Sequence, residues 1–206
     1  MGIESLSDAE LLALLLNTGY KGVSSVDLAG EILRNVGGLN GLMKMPLKDI
    51  MNIKGVKLAK ATQLVGSLEL VRRINYGEIL NSDVIDRPGR LISWLQSSIG
   101  MKEQEFFVVV FLNTKNHVLG YKTVFIGTIN GIEIESREVF RQALNVNASK
   151  IIMAHNHPSQ NVTPSLQDRV TTRKLVQAGA LMGVPVIDHL IVSYQDYYSF
   201  RENNEL

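Results

Sequence analysis

The sequence contains no cysteine. This absence excludes a disulfide framework, a thiolate zinc finger, an iron–sulfur centre and a cysteine nucleophile. An excess of either charge is also absent, because 21 lysines and arginines face 20 aspartates and glutamates over 206 residues. The chain is therefore not a polycation that binds nucleic acid along its whole length, and any contact with DNA must come from a local patch.

Long hydrophobic runs are absent too. The two longest, Leu11–Leu16 and Phe106–Leu112, are far shorter than the roughly 20 apolar residues that cross a bilayer. The first residues lack the basic stretch, apolar stretch and small-residue cleavage site of a secretory signal. Since 45% of the residues are hydrophobic and only five are proline, the composition is that of a folded chain. We expect a cytoplasmic protein without a membrane partner.

The pattern of apolar residues divides the chain into two parts. Helix signals fill the first part, beginning with a capping box at Ser7. Strand signals begin at Phe106, and from there strands and helices alternate. A charged stretch with a Pro-Gly pair, residues 76–90, separates the parts. We therefore predict a small all-α domain over 1–78, and an α/β (α+β) domain over 84–206 whose sheet is flanked by helices.

The first domain contains a candidate DNA-binding turn at residues 53–61. Its hydrophobic–x–Gly–hydrophobic pattern is typical of a helix-hairpin-helix, in which Gly55 permits the tight turn. Backbone N–H groups at the start of the next helix can then meet a DNA phosphate. Three lysines add positive charge there: Lys54, Lys57 and Lys60. The alternative is a packing module, because residues 1–78 hold 9 basic and 8 acidic residues and so have a nearly neutral field. Residues 16–23 look like a weaker first copy of the turn.

Two histidines follow an apolar strand in the second domain. His155 and His157 come directly after Ile151–Ala154, and in an extended chain residues two apart point to the same side. Two neighbouring imidazoles form half of a zinc site. Pro158 stops the strand, so we expect both rings at an open end of the sheet rather than deep in the core. The alternative is a surface pair of histidines that holds no ion.

Asp168 offers a third ligand. Thr163 can cap a helix and Pro164 suits its first position, which puts Asp168 near the helix start. Two imidazoles and a carboxylate leave a fourth position for water, the pattern of a catalytic zinc site. Zinc lowers the pKa of that water to about 7, and a nearby carboxylate can then act as general base. Alone, Asp168 would be an ordinary first-turn acid that complements the helix dipole.

Together these blocks resemble a known family. The string His155-x-His157, seven intervening residues, Ser165-x-x-Asp168 matches the JAMM motif of the JAB1/MPN metalloprotease superfamily. The wider sequence resembles the bacterial RadC family, whose members also carry N-terminal helix-hairpin-helix repeats. The further blocks that carry this likeness are Arg137–Phe140 and Asp188–Leu190. The resemblance covers nearly the whole chain and implies an MPN/JAB-like mixed sheet in the second domain.

The resemblance also implies roles for the site residues. The two histidines and Asp168 would be zinc ligands, and the Ser165 hydroxyl would hold the oxyanion of a tetrahedral intermediate or orient its neighbours. The motif expects an upstream glutamate, the general base, at the head of a hydrophobic strand. Glu105 directly precedes such a strand and is the candidate, with Glu103 as its competitor. The less well placed glutamates are Glu133, Glu135 and Glu138.

Two further residues bear on the site. His189 begins an apolar strand and is a substitute ligand, a partner behind a ligand, or a core histidine. Because Asp168 already completes the ligand set, we favour the second or third role. Where the family usually has glycine after His-Pro-Ser, this chain has Gln160, which leaves the loop beside the site less free in φ.

Three hypotheses about function follow. The resemblance implies a zinc-dependent hydrolase that cleaves a peptide or isopeptide bond in a peptide or protein substrate. The second hypothesis is a DNA-associated repair or recombination accessory protein whose metal site is structural or vestigial. The third is a structural fold with no ion, which zinc analysis would separate from the others. Relatives that act on ubiquitin use insertions around the site, whereas seven residues separate His157 from Ser165 here, so a ubiquitin-like substrate does not follow.

Overall fold

The computed structural model describes residues 2–80, 83–127 and 134–206. The chain forms two compact units, Met1–Val71 and Arg72–Leu206, called unit 1 and unit 2 below. Among the described residues, no helix is both long enough and apolar enough to cross a membrane. The division into 1–78 and 84–206 expected from composition stays a prediction about which fragments fold alone.

Unit 1 is built from helices. They are α1 (Asp8–Leu16), α2 (Ser25–Val36), α3 (Leu39–Lys44), α4 (Leu47–Ile50) and the start of α5 (Leu58–Leu80). The predicted capping box of α1 is confirmed, because Ser7 and Glu10 each accept a hydrogen bond from the other's backbone N–H. The six-residue α3 is missing from the sequence prediction, since one and a half turns carry too few residues for a helical period to be recognised.

The helix α5 extends into the stretch of residues 76–90 that the sequence places between the two parts. Residues 76–80 of the predicted linker are helical, so the change in composition does not mark a break in the chain's secondary structure. The physical reason lies in packing. Ile79 is fully buried in a cluster of unit 2 that includes Leu91 and Trp94, and this burial outweighs the helix-weakening effect of Gly77.

Unit 2 contains a five-stranded sheet with helices on both faces. The strands are β1 (Glu105–Leu112), β2 (Val118–Gly127), β3 (Lys150–Asn156), β4 (Val186–Val192) and β5 (Tyr197–Ser199), in the spatial order β2-β1-β3-β4-β5. Among the described strands, β3 and β4 pair in parallel and the other three pairings are antiparallel, so the predicted mixed sheet is confirmed. The helices are α6 (Pro88–Ser98), α7 (Ser136–Asn145) and α8 (Leu166–Met182).

The alternation of side chains along the strands separates two cores. Val108 and Val110 of β1 pack in a cluster with Ile152 and the helix α6. Phe107 and Val109 lie on the opposite face, in a cluster formed with α7 and α8. Because side chains two apart share a face, odd-numbered residues of β1 and β3 point toward α7 and α8. The side chains of Glu105, at the start of β1, and of His155, near the end of β3, therefore point to the α8 side of the sheet.

Candidate metal centre

Three polar side chains converge where β3 ends and α8 begins. The ligand atoms of His155, His157 and Asp168 all lie within 4.8 Å of one another. The two Nε2 atoms are 3.0 Å apart. Asp168 Oδ1 lies 3.2 Å from the Nε2 of His155, and Asp168 Oδ2 lies 3.4 Å from the Nε2 of His157. The structure therefore gathers the residues that the sequence singles out into one group that could hold a metal ion.

The two histidines do not share one environment. The strand β3 runs through Asn156, so His155 lies inside the sheet and is fully buried, with its ring stacked on that of Phe107. The expectation that both rings sit at an open sheet end is wrong for His155. His157 comes after the last residue of β3, and 14% of its side chain is exposed. The candidate group therefore has one imidazole anchored in the core and one near the surface.

The helix start that presents Asp168 also differs from the prediction. The helix α8 begins at Leu166 with Ser165 as its N-cap, so Thr163 is not the cap and Pro164 is not the first helical residue. The serine side chain satisfies the backbone N–H three residues on, which neither a threonine five residues away nor a proline can do. Asp168 Oδ2 accepts from both the backbone N–H and the hydroxyl of Ser165, at 2.7 and 2.6 Å. Its other oxygen, Oδ1, lies 3.2 Å from the Nε2 of His155.

Hydrogen bonds fix which imidazole nitrogens carry protons. The Nδ1 of His157 lies 2.7 Å from the carbonyl oxygen of Asn161, and a carbonyl only accepts, so Nδ1 carries the hydrogen. The neutral ring then has a bare Nε2 that points at His155. Burial alone would lower the pKa of His157, but the hydrogen bond and charge of Asp168, with smaller contributions from Asn161 and Glu105, raise it above its ordinary value.

Asp168 is held as a carboxylate. Burial alone would raise its pKa, but the two imidazoles, which donate to the carboxylate when they are protonated, and the hydrogen bonds from Ser165 hold that pKa far below its usual value. Two imidazole nitrogens and one carboxylate oxygen lie close together here, and all three are electron-rich. A cation among them, either a proton or a metal ion, is therefore stabilised. Three nitrogen and oxygen donors of this kind suit Zn²⁺ and leave room for a further ligand, so the side chains fit such a metal.

Glu105 lies next to this group. It is the first residue of β1, and Phe107, two residues on, pairs with His155 in the antiparallel β1–β3 ladder. An antiparallel register continued by two residues brings Glu105 opposite His157, on the α8 face of the sheet. Its negative charge contributes to the raised pKa of His157. The competitor Glu103 is exposed and lies outside β1.

Asn156, between the two histidines, holds the segment that carries Glu105. It is fully buried and points to the opposite face from His155. Its Oδ1 accepts from the N–H of Phe106 at 2.8 Å, and its Nδ2 donates to the carbonyls of Lys102 and Gln104 at 3.2 and 3.0 Å. The amide thereby fixes the backbone on both sides of Glu105. Sequence reasoning missed this role, and the only signal was a polar residue on the buried side of an apolar strand.

Two of the less well placed glutamates, Glu135 and Glu138, belong to the start of α7. Glu138 binds Arg141 through two hydrogen bonds on α7, at 3.0 and 2.7 Å. Glu135 precedes α7 as its N-cap residue, without a side-chain cap. Glu133 lies outside the described residues.

Comparison with known proteins gives the family. A model of the RadC-like JAB domain matches residues 85–205, and a model of the UPF0758 N-terminal family matches residues 1–62. A UPF0758 protein of Geobacillus kaustophilus is 41% identical over 201 residues, which cover 98% of this chain and 89% of that protein. A UPF0758 protein of Photorhabdus laumondii is 40% identical over 201 residues, which cover 98% of this chain and 87% of the relative.

The chain belongs to the RadC family. Its second unit is a RadC-like JAB domain, which points to the JAMM-type hydrolase superfamily. The UPF0758 names of the relatives assign no activity.

The structure explains how Gln160 can stand where the resemblance to RadC proteins leads us to expect glycine. Gln160 adopts φ 64°, the left-handed conformation that favours glycine and costs other residues about 1–2 kcal/mol. Its side chain offsets this cost with two hydrogen bonds, from Nε2 to the carbonyl of Gly100 at 2.9 Å and from the N–H of Tyr194 to Oε1 at 3.0 Å. The left-handed conformation in the loop after His157 is thus stabilised without glycine.

The tight turn expected at Gly55 is formed in the N-terminal region. Gly55 has φ 84°, and a Cβ there would lie 2.2 Å from the Tyr20 ring, so the position requires glycine. The ammonium of Lys60 donates to the carbonyls of Gly19 and Gly55 at 2.8 and 3.2 Å, so it joins the two turns that the sequence suggests as copies. The lysines of this turn that are exposed are Lys54 and Lys57.

Proposed function

We propose that unit 2 is a zinc-dependent hydrolase of the JAMM type that cleaves a peptide or isopeptide bond. The observation that carries this proposal is the convergence of two imidazole nitrogens and the Asp168 carboxylate beside Glu105. In this proposal His155, His157 and Asp168 hold the metal, and a fourth position is left for water. Zinc bound in this way would supply a water that ionises near neutral pH, and the ion would also polarise the carbonyl of the substrate.

Glu105 moves protons in this scheme. Its carboxylate accepts a proton from the attacking water and then delivers it to the leaving nitrogen, so one group acts first as base and then as acid. Its position suits this work, because the amide of Asn156 holds the backbone on both sides of it. Glu105 lies beside the metal ligands without belonging to the group that could bind the ion.

Ser165 has two roles open to it. Its hydroxyl donates to Asp168 Oδ2 at 2.6 Å, which supports a role in orienting the carboxylate. The oxyanion role implied by the family would require the hydroxyl to turn away from that oxygen. The two roles predict different losses when the hydroxyl is removed.

The test compares Glu105→Gln with Glu103→Gln. Each zinc-loaded protein is incubated with a mixed peptide library, and new termini are counted by mass spectrometry. We expect cleavage by the wild type and by Glu103→Gln, and at least a 100-fold loss in Glu105→Gln with zinc still bound, because general base catalysis contributes about 10²–10⁴-fold. Zinc loss or full activity in Glu105→Gln would contradict the assignment of the base.

We also propose that unit 1 binds nucleic-acid backbone weakly through residues 53–61. The observation that favours it is the formed turn at Gly55, followed by the start of α5 and flanked by exposed Lys57. Binding of a short DNA duplex should weaken with added salt and with Lys57→Glu. The control Lys115→Glu makes the same change of charge on unit 2. Equal binding by both variants, or none at low salt, would leave the turn with a packing role.

A further inference from the structure

A buried chain of hydrogen bonds extends from the back of the His155 ring. The Nδ1 of His155 lies 2.9 Å from the Nε2 of His189 on the neighbouring strand β4. The Nδ1 of His189 lies 2.7 Å from the Oγ1 of Thr172 on α8, and this Oγ1 lies 2.6 Å from the carbonyl oxygen of Asp168. The chain thus starts at one ligand of the proposed metal and ends at the backbone of another.

The direction of each hydrogen bond follows from the last acceptor in the chain, the carbonyl oxygen of Asp168. The Asp168 carbonyl only accepts, so the single hydroxyl proton of Thr172 points to it. Thr172 Oγ1 must then accept from His189, which places the proton of the neutral His189 ring on Nδ1 and leaves Nε2 bare. A bare Nε2 accepts from His155, so Nδ1 of His155 is protonated. Its Nε2 is thereby left free to face His157 and Asp168.

The surroundings of His189 keep it neutral and fixed. The ring is fully buried, stacks on Phe200 at a centroid distance of 4.9 Å and lies 5.5 Å from the ring of Phe107. Burial lowers the pKa of this ring well below its ordinary value. A neutral imidazole usually carries its proton on Nε2, so the arrangement required by Thr172 is the less common tautomer.

We propose that Thr172 and His189 are positioning residues that hold His155 in the one tautomer able to bind a metal through Nε2. The inference rests on the proposed metal site and adds the residues that prepare it. Outer partners that fix a ligand's orientation are typically worth about 10–100-fold in metal affinity. Thr172 therefore acts on the metal through two imidazoles without touching it.

The first test compares Thr172→Val with Thr172→Ser. Valine keeps the shape of threonine and loses the hydroxyl, whereas serine keeps the hydroxyl, and both leave the backbone hydrogen bond of the helix in place. Zinc affinity is measured by competition with a chromophoric chelator. We expect Thr172→Val to bind zinc about 10–100-fold more weakly than the wild type, and Thr172→Ser to stay within about threefold of it.

The second test reads the protons directly. In ¹⁵N-labelled protein, long-range ¹H–¹⁵N correlations of the His189 ring report which nitrogen carries hydrogen, with or without zinc. We expect Nδ1 protonated and Nε2 bare in the wild type and Thr172→Ser, and a changed pattern in Thr172→Val. A protonated Nε2 in the wild type, or equal zinc affinity of the valine and serine variants, would overturn the inference. Failure of the wild type to bind zinc would instead refute the proposed function, while the tautomer could still be read.

Discussion

Removal of the Ser165 hydroxyl distinguishes two roles of this group. One role is to cap α8 and orient Asp168, and the other is to hold the oxyanion. Ser165→Ala removes two bonds of that hydroxyl, the one accepted from the N–H of Asp168 at 3.1 Å and the one donated to its carboxylate at 2.6 Å. Loss of an N-cap costs about 1 kcal/mol. Loss of a hydrogen bond to a buried charged group adds about 1.5 kcal/mol or more, so we expect unit 2 to lose about 2–3 kcal/mol of its free energy of unfolding.

The chain supplies its own matched control in unit 1. Ser24 caps α2 with the same two distances to Asp27, 3.1 and 2.6 Å, on an exposed surface without histidines. Ser24→Ala should therefore cost about 1 kcal/mol and leave zinc affinity unchanged. Ser165→Ala should lower zinc affinity about 10–100-fold, because the carboxylate loses a partner that orients it.

Urea unfolding measures the free energy of unfolding, and competition with a chelator measures the zinc affinity. If Ser165→Ala bound zinc as tightly as Ser24→Ala, the idea that the serine orients Asp168 would be refuted. Unchanged zinc affinity with lost cleavage of the peptide library would assign the hydroxyl to the oxyanion. Ser165→Thr keeps the capping hydroxyl and should retain most of both properties.

Three further predictions concern other parts of the chain. Gly55→Ala should cost clearly more stability than Gly22→Ala, because both positions are left-handed but only Gly55 has a neighbouring ring in the way; hydrogen exchange of the unit 1 core would measure the difference, and equal costs would contradict it. A fragment 72–206 should fold alone, and starting it at 84 should cost about 2–5 kcal/mol because buried Ile79 is lost; equal thermal stability of the two fragments would argue against this. Asn156→Ala should lower peptide cleavage with zinc retained, since the segment carrying Glu105 loses three bonds, and cleavage at the wild-type rate would refute that role.

Local signals predict the convergence of the candidate metal group, His155, His157 and Asp168. The spacing of His155 and His157, and the short loop that leads to Asp168, are properties of one continuous stretch of chain. Their convergence therefore follows from strand and helix geometry. The same holds for the capping box at Ser7 and for the strand β1, which begins one residue before the predicted Phe106.

Long-range pairing escapes such reasoning. Which nitrogen of His155 meets His189 depends on the parallel pairing of β3 with β4, and Thr172 joins them only because α8 packs on that face. The hydrogen bonds of the Asn156 side chain likewise join residues about fifty positions apart in sequence. A histidine or asparagine inside an apolar strand indicates that some buried partner exists, but the sequence does not identify it.

The most direct test of a metal-dependent hydrolase site is the zinc content of the protein purified without a histidine tag. It should be measured beside the double variant His155→Ala/His157→Ala. The wild type should carry close to one zinc per chain, and the variant should carry almost none, because two of the three proposed ligands are gone. A wild type that takes up no zinc when it is offered, or a variant that retains it, would contradict the account.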